Sequence, residues 1–218
     1  MIRYSHFHRG IGRCLACQLP ARAGQGDLCR QCRADLLWCE TAPVLADLDQ
    51  VLCALHYEGT IRDWILRLKF RGDLAAGRVL GELLAATVRG ARAAGSPLPQ
   101  ALLPVPMTRL QWLRRGRNPA RVIAAPVARA FALPIACQLA VIAHKPSSQH
   151  RLNRAERLQA LRGAFCIRGR PPAQVAIVDD VLTTGATAQA LARALRVAGC
   201  RRVEIWTAAY TLPPEAVP

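Results

Sequence analysis

A chain of 218 residues, 52% of them hydrophobic, has room for one α/β domain of ordinary size plus a small appendage. It holds no apolar run long enough to span a bilayer, which argues against membrane insertion, and Met1 to Arg13 lacks the apolar core of a signal peptide, so a cytoplasmic protein is expected. The net charge of +16 is concentrated: no acidic residue lies between Glu82 and Glu156, while Arg89, Arg92, Arg109, Arg114, Arg115, Arg117, Arg121, Arg129, Lys145, Arg151 and Arg154 do, which points to a polyanionic partner. Only Lys69 and Lys145 are lysines; a compositional bias toward arginine and alanine explains that preference but not the size of the charge.

Residues 1–45 form the first expected module. Cys14-Leu-Ala-Cys17 and Cys29-Arg-Gln-Cys32 are two C-x-x-C pairs, separated by a segment containing Pro20, Gly24 and Gly26. Two such knuckles can set four thiolates round one zinc ion, and a short stretch this poor in large apolar residues needs the metal to fold. Four thiolates leave no open position, so the zinc would be structural. His6 and His8 are read as solvated residues of a loose terminus and Cys39 as unliganded. Cys53, Cys137, Cys166 and Cys200 are expected to be small buried residues.

Residues 46–218 form the second. Val51 to Tyr57 reads as a strand, and Gly59-Thr60 opens a helix with Ile61, Trp64, Ile65 and Leu68 at i, i+3, i+4 and i+7. A second helix is expected from Leu74 to Ala93, a strand from Ala101 to Val105, and a helix from the N-cap and N1 pair Asn118-Pro119 to about Phe131. Leu139 to Ala143 reads as a short strand, Gln149 to Ala160 as polar and helical, and Val203 to Ala209 as the last strand. Alternating strands and helices predict a mainly parallel sheet with helices on both faces.

The most informative stretch runs from Val175 to Thr187. Four apolar residues, Val175 to Val178, suit a strand buried on both faces and lead to Asp179 and Asp180, then to Thr183-Thr184-Gly185-Ala186-Thr187. Parallel strands present ligands at their carboxyl ends. Leu191, Ala194, Leu195 and Ala198 follow at helical spacing before Gly199, so the loop feeds a helix N-terminus, whose amides can meet an anion. Threonine hydroxyls and backbone amides freed by glycine can wrap a phosphate, while the two carboxylates suit ribose hydroxyls or a divalent metal that a phosphate brings. A phosphorylated ribose satisfies both halves.

This stretch resembles the 5-phosphoribosyl-1-pyrophosphate signature of type I phosphoribosyltransferases. Further landmarks fall in order: Lys69-Phe70-Arg71-Gly72-Asp73, Pro104-Val105-Pro106, Arg115-Gly116-Arg117-Asn118, and Gln149 through Arg157 to Gly163-Ala164-Phe165. With the cysteine pairs in front, the chain resembles the ComF family, bacterial phosphoribosyltransferase-like proteins associated with natural competence and the use of external DNA. The resemblance implies an α/β fold with a mainly parallel type I phosphoribosyltransferase-like sheet and flanking helices, preceded by a zinc-ribbon-like module. It implies that Asp179 and Asp180 bind the ribose and that Thr183, Thr184, Gly185, Ala186 and Thr187 bind its 5-phosphate. Arg115 and Asn118 match the pyrophosphate-side segment, and Lys69 the lysine of a K-F-x-G-D segment. Gln149, Arg151 and Arg157 match a basic segment that closes over the active site. For Lys69 and Arg115 the alternative is plain surface charge beside a packed helix. The chain departs from the family pattern at Arg117 and Pro119, where Phe and Gln are usual, at Ala160, where Asn is common, and in having only Cys39 where a second N-terminal cysteine pair is common.

As a transferase the chain would displace pyrophosphate from C1 of the ribose, with Mg²⁺ neutralising the leaving group and Lys69, Arg151 and Arg157 as catalytic candidates. No segment names an acceptor. In type I enzymes base recognition lies in variable hoods, and here the cysteine module stands where a hood would. Two further readings are a non-catalytic adaptor that binds single-stranded DNA or a DNA-import helicase, and a phosphoribosyl-pyrophosphate-responsive regulator that has lost turnover.

Overall fold

A computed structural model describes residues 13–20, 27–93, 95–143 and 163–212. Its contacts divide the chain into two compact units, 1–37 and 38–218. The helical expectation for Gln149 to Ala160 lies outside the described residues, as do His6 and His8. None of the described helices is long and apolar enough to cross a membrane.

The first unit is built from short loops. Arg13 and Pro20 form an antiparallel bridge, and Cys14 N–H donates to Leu19 O at 2.8 Å, closing a turn in which Gln18 N–H donates to Cys14 O at 2.9 Å. Leu15 N–H donates to Asp27 O at 2.8 Å and so ties this turn to the segment that opens α1, Arg30–Ala34.

In the second unit a four-stranded sheet runs in the order β1-β6-β5-β2, with every neighbouring pair parallel. Its strands are β1 (Gln50–His56), β2 (Ala101–Pro104), β5 (Gln174–Leu182) and β6 (Arg202–Tyr210). The helices are α2 (Gly59–Leu66), α3 (Leu74–Arg92), α4 (Arg109–Arg115), α5 (Pro119–Phe131) and α6 (Ala186–Val197). A separate antiparallel pair joins β3 (Ala140–Ile142) to β4 (Phe165–Ile167). Residues 38–45 pack with this unit: Trp38 bridges Leu55, and Leu45 clusters with Cys53 and Leu182.

The parallel sheet is apolar on both faces, as strands covered on both sides must be. Val175, Ile177, Val203 and Ile205 pack on Leu191 and Leu195 of α6, while α3 and α5 pack on the sheet as well, Arg92 of α3 reaching Glu204 and Trp206. Since successive strand residues point to opposite faces, these two sets belong to the two sides. Burying such side chains contributes roughly 1.5–3 kcal/mol each. The close crossing of α3 and α5 depends on Gly81, where a Cβ would collide with the Ile123 carbonyl and the Pro126 ring.

Two expectations are corrected. Cys137 and Cys166 are exposed, not buried, because one lies in the turn before β3 and the other on a two-stranded pair with a solvated face; Cys53 and Cys200 are buried. The strand that begins at Gln174 does not end before the aspartates but continues to Leu182, Asp179 pairing with Thr207 of β6. Asp179 and Asp180 therefore leave the strand on opposite faces.

Candidate functional site

The segment Arg67–Arg71, a π-helical turn that extends α2, carries Lys69 to the carboxyl end of the sheet. Such turns displace side chains from regular helical spacing and recur at functional positions. It is closed by Gly72 (φ +67) and braced on both sides. Arg117 Nη1 donates to Gly72 O at 3.2 Å, and Asp73 caps α3 by accepting from Ala75 and Ala76 N–H at 3.0 and 3.1 Å. Asp73 also receives Arg67 Nε at 2.9 Å. Burial works to raise the Asp73 carboxyl, but the Ala76 N–H and the Arg67 guanidinium outweigh it and hold the group below the usual carboxylate range.

From this brace Lys69 Nζ reaches Asp180 Oδ1 at 2.8 Å. Asp179 makes no ion pair among the described residues; its Oδ1 accepts the Asp180 backbone N–H at 2.9 Å. Burial, then the neighbouring Asp180 charge, push the Asp179 carboxyl up to about 8, and the Asp180 N–H and, less, Lys69 only partly offset this. A group that resists ionisation when the site is empty gains most from a ligand that donates hydrogen bonds or positive charge.

Both aspartates line a cavity of about 330 Å³, together with Lys69, Arg115, Asn118 and Thr187, inside the range of about 300–1,000 Å³ usual for small-molecule sites. Arg115 sits over the Phe70 ring, 5.6 Å from its centroid. Asn118 Nδ2 donates to Val105 O at 2.8 Å and its Oδ1 accepts from Ala120 N–H at 3.0 Å, so it locks the segment after β2 to the start of α5. Thr183, Thr184 and Gly185 form the turn between β5 and α6, and neither they nor Ala186, the first residue of α6, are in the cavity wall. Gly185 has φ +76, and a Cβ there would lie 2.5 Å from Leu45 Cδ1, so glycine is required by packing as well as by conformation. Leu45 therefore fills the space on the side where a Cβ would point. No side chain of Gly185 can cap α6, and the Ala186 N–H points to Thr184 Oγ1 at 3.4 Å. Arg151 and Arg157 lie outside the described residues.

Some of the wall was not foreseen from the sequence. Thr108 and Gln111 contribute from the start of α4, a helix with no buried residue. Its one sequence signal is the capping box T-x-x-Q, in which Gln111 N–H donates to Thr108 Oγ1 at 3.2 Å and Thr108 N–H to Gln111 Oε1 at 2.9 Å. Ile142, Ala164 and Phe165, from the β3–β4 pair and its approach, form another wall. A larger apolar cavity of about 520 Å³ between β4 and α6 offers little chemistry, since its one charged side chain, Arg193, is held by Asp47 at 2.7 Å.

In the first unit the ligand atoms of Cys14, Cys17, Cys29 and Cys32 lie within 4.8 Å of one another. Cys17 Sγ and Cys29 Sγ are 3.9 Å apart, close to the edge of about 3.8 Å that a thiolate tetrahedron has when metal–sulfur bonds are about 2.3 Å. Cys29 N–H points to Cys14 Sγ at 3.4 Å, and Cys29 itself caps α1 by accepting from Cys32 N–H at 3.5 Å. Burial opposes the Cys14 thiolate, yet the N–H groups of Cys29, Cys17 and Ala16 bring its thiol down to about 6. Cys32, hydrogen-bonded to Cys29 and crowded by the other sulfurs, is pushed up to about 12. The four sulfurs suit a tetrahedral metal ion, which would relieve that crowding.

No family model matches the chain. It is 30% identical to competence protein F of Haemophilus influenzae over 163 residues, which cover 72% of this chain and 71% of that protein. The DNA utilization protein YhgH of Escherichia coli strain K12 is 27% identical over 225 residues, covering 92% of this chain and 98% of its own. YhgH of Salmonella typhi is 32% identical over 151 residues, 67% and 65% of the two chains. At 30% identity over nearly three quarters of both chains, the likeness to competence protein F decides the grouping, and the chain belongs to the competence protein F (ComF) family.

Proposed function

We propose that this chain binds 5-phosphoribosyl-1-pyrophosphate in the Asp179–Asp180 cavity and transfers its phosphoribosyl group. The observation that supports the reading is the meeting, in one cavity, of two carboxylates with Lys69, Arg115 and Thr187. Asp179 and Asp180 accept ribose hydroxyls; Thr187 and the Thr183–Ala186 turn hold the 5-phosphate with hydroxyl and amide donors. Lys69 and Arg115 meet the pyrophosphate, and Arg151 and Arg157 are assigned to the closing segment on resemblance alone. Transfer through an oxocarbenium-like state needs orientation and charge compensation more than covalent help. Mg²⁺ bound with the ligand supplies neutralisation of the leaving pyrophosphate.

The four cysteines hold zinc as a structural ion. The relatives are named for competence and DNA utilization, and we assign this chain to the same process, acting in the cytoplasm. Calorimetry with phosphoribosyl pyrophosphate and Mg²⁺ tests the binding: the Asp179→Asn, Asp180→Asn double variant, shown to be folded, should lose at least about tenfold in affinity, and unchanged affinity would refute the site. Pyrophosphate release with pooled bases and amines then separates transfer from binding without turnover.

A second reading, a ligand-responsive adaptor that contacts single-stranded DNA, is favoured by the acid-free interval, where Arg89, Arg109, Arg114 and Arg129 are exposed. Steeply salt-dependent DNA binding supports it, and no binding at low salt excludes it.

A further inference from the structure

A second cavity, of about 750 Å³, adjoins the first. Pro106, Met107, Thr108, Asn118 and Ile142 lie in the walls of both. Arg109 and Trp112 of α4, Arg121 of α5 and Arg168 just after β4 also line it, and no aspartate or glutamate does among the described residues. None of these three guanidinium groups makes an ion pair among the described residues, whereas Arg67, Arg92, Arg193, Arg196 and Arg202 each do. Three unpaired like charges round one hollow repel one another, and an anion removes that repulsion. Trp112 is 58% exposed on a helix that buries nothing, so its indole adds no core to the fold. A flat aromatic face left in water beside guanidinium forks recognises a planar ring that carries phosphate.

We propose that this cavity is a nucleotide-binding site, with the base stacked on Trp112 and the phosphate met by Arg109, Arg121 and Arg168. It is a different site from the Asp179–Asp180 cavity and stands whether or not that cavity binds a phosphoribosyl ligand. A free nucleotide and the terminal nucleotide of a single strand share this chemistry. Cys137, exposed and in the same wall, reports on occupancy, and Cys166, exposed but outside that wall, serves as an internal control.

The test is alkylation of the full chain at low salt, read by peptide mass at Cys137 and Cys166, with thymidine 5′-monophosphate, a short 5′-phosphorylated oligothymidylate, or inorganic phosphate as probe. Slower alkylation of Cys137 alone is expected with a nucleotide probe and not with inorganic phosphate. Protection by the monophosphate identifies a free nucleotide as a ligand, and protection by the oligonucleotide alone identifies a strand end; either outcome supports the site. Arg121→Ala with Arg168→Ala, and separately Trp112→Ala, should weaken the protecting probe at least about tenfold. Both variants should bind phosphoribosyl pyrophosphate as the wild type does, so failure of the phosphoribosyl reading shows separately in calorimetry of the same samples. No protection by either nucleotide probe, equal protection by inorganic phosphate, or protection unchanged in both variants overturns the proposal.

Discussion

Two buried carboxylates on the same parallel sheet have opposite surroundings. Glu204, 1% exposed near the start of β6, is saturated: Arg92 of α3 pairs with Oε2, the Trp206 indole N–H donates to the same oxygen at 2.9 Å, and Arg202 Nε donates to Oε1 at 2.9 Å. Asp180, 8% exposed toward the end of β5, has a lysine on one oxygen and a cavity in front of it, beside an Asp179 with no cation of its own among the described residues. A buried charge whose every acceptor is filled ties elements together, whereas one left half satisfied at a cavity is poised for a ligand. The contrast places the saturated carboxylate near the start of the strands and the half-satisfied one toward their carboxyl ends.

The hardest way to break this contrast is Glu204→Ala. Arg92, with only 7% of its side chain exposed, would be left without its carboxylate, and a loss of about 3–5 kcal/mol is expected in urea unfolding; a cost below about 1 kcal/mol would mean the pair does not anchor α3. Asp180→Ala should behave in reverse. Lys69 can turn toward the cavity and its water, so stability should fall by less than half as much as in the Glu204 variant. Affinity for phosphoribosyl pyrophosphate should drop by about 1.5–3 kcal/mol, the worth of a hydrogen bond to a charged group, measured by calorimetry. Similar stability losses for the two variants would erase the distinction.

The pH dependence sharpens the comparison. Asp179, pushed up to about 8 by burial and by Asp180, is neutral below that value and charged above it. A ribose hydroxyl needs the charged acceptor, so affinity should rise about fivefold from pH 7 to pH 8 and then level off. The sign for stability is opposite. The unfolded carboxyl ionises near its ordinary value while the folded one keeps its proton, so the ligand-free protein should lose stability as pH rises from about 4 to about 8. Asp179→Asn should flatten both trends, and an unaltered affinity profile in that variant would assign the titration to another group. The smallest effect expected is that of Phe70→Leu, which removes the ring beneath Arg115 and should weaken ligand binding by about 0.5–1 kcal/mol while leaving the melting temperature almost unchanged.

The parts of the fold carried by local signals were legible. Asn118-Pro119 does start α5, with the asparagine as cap and proline in the first turn, and the apolar run from Val175 does form a central strand. What escaped was short or exposed. The α4 helix buries no side chain, so it has no apolar stripe to give it away, and β4 is three residues long and acquires its identity from pairing with β3. Within the candidate site, Asp179, Asp180 and Thr187 were legible as residue types at characteristic spacing, and Lys69, Arg115 and Asn118 through the family resemblance, but the lysine–aspartate pair was not. Nor were Thr108, Gln111, Ile142 and Phe165 in the wall, since none carries a recognisable charge pattern.

By itself the amino-acid sequence determined the alternation of strands and helices, the caps, the four thiolates at knuckle spacing and the two acids leading into a threonine-rich turn. These follow from backbone preferences and side-chain chemistry over a few neighbouring residues. Only the tertiary structure decided that Asp179 and Asp180 leave β5 on opposite faces, that Lys69 rather than an arginine meets Asp180, and that Arg109, Arg121 and Arg168 surround one hollow without a counter-charge among the described residues. Those outcomes depend on the strand order β1-β6-β5-β2 and on the packing of α3 against α5, which bring together segments far apart along the chain.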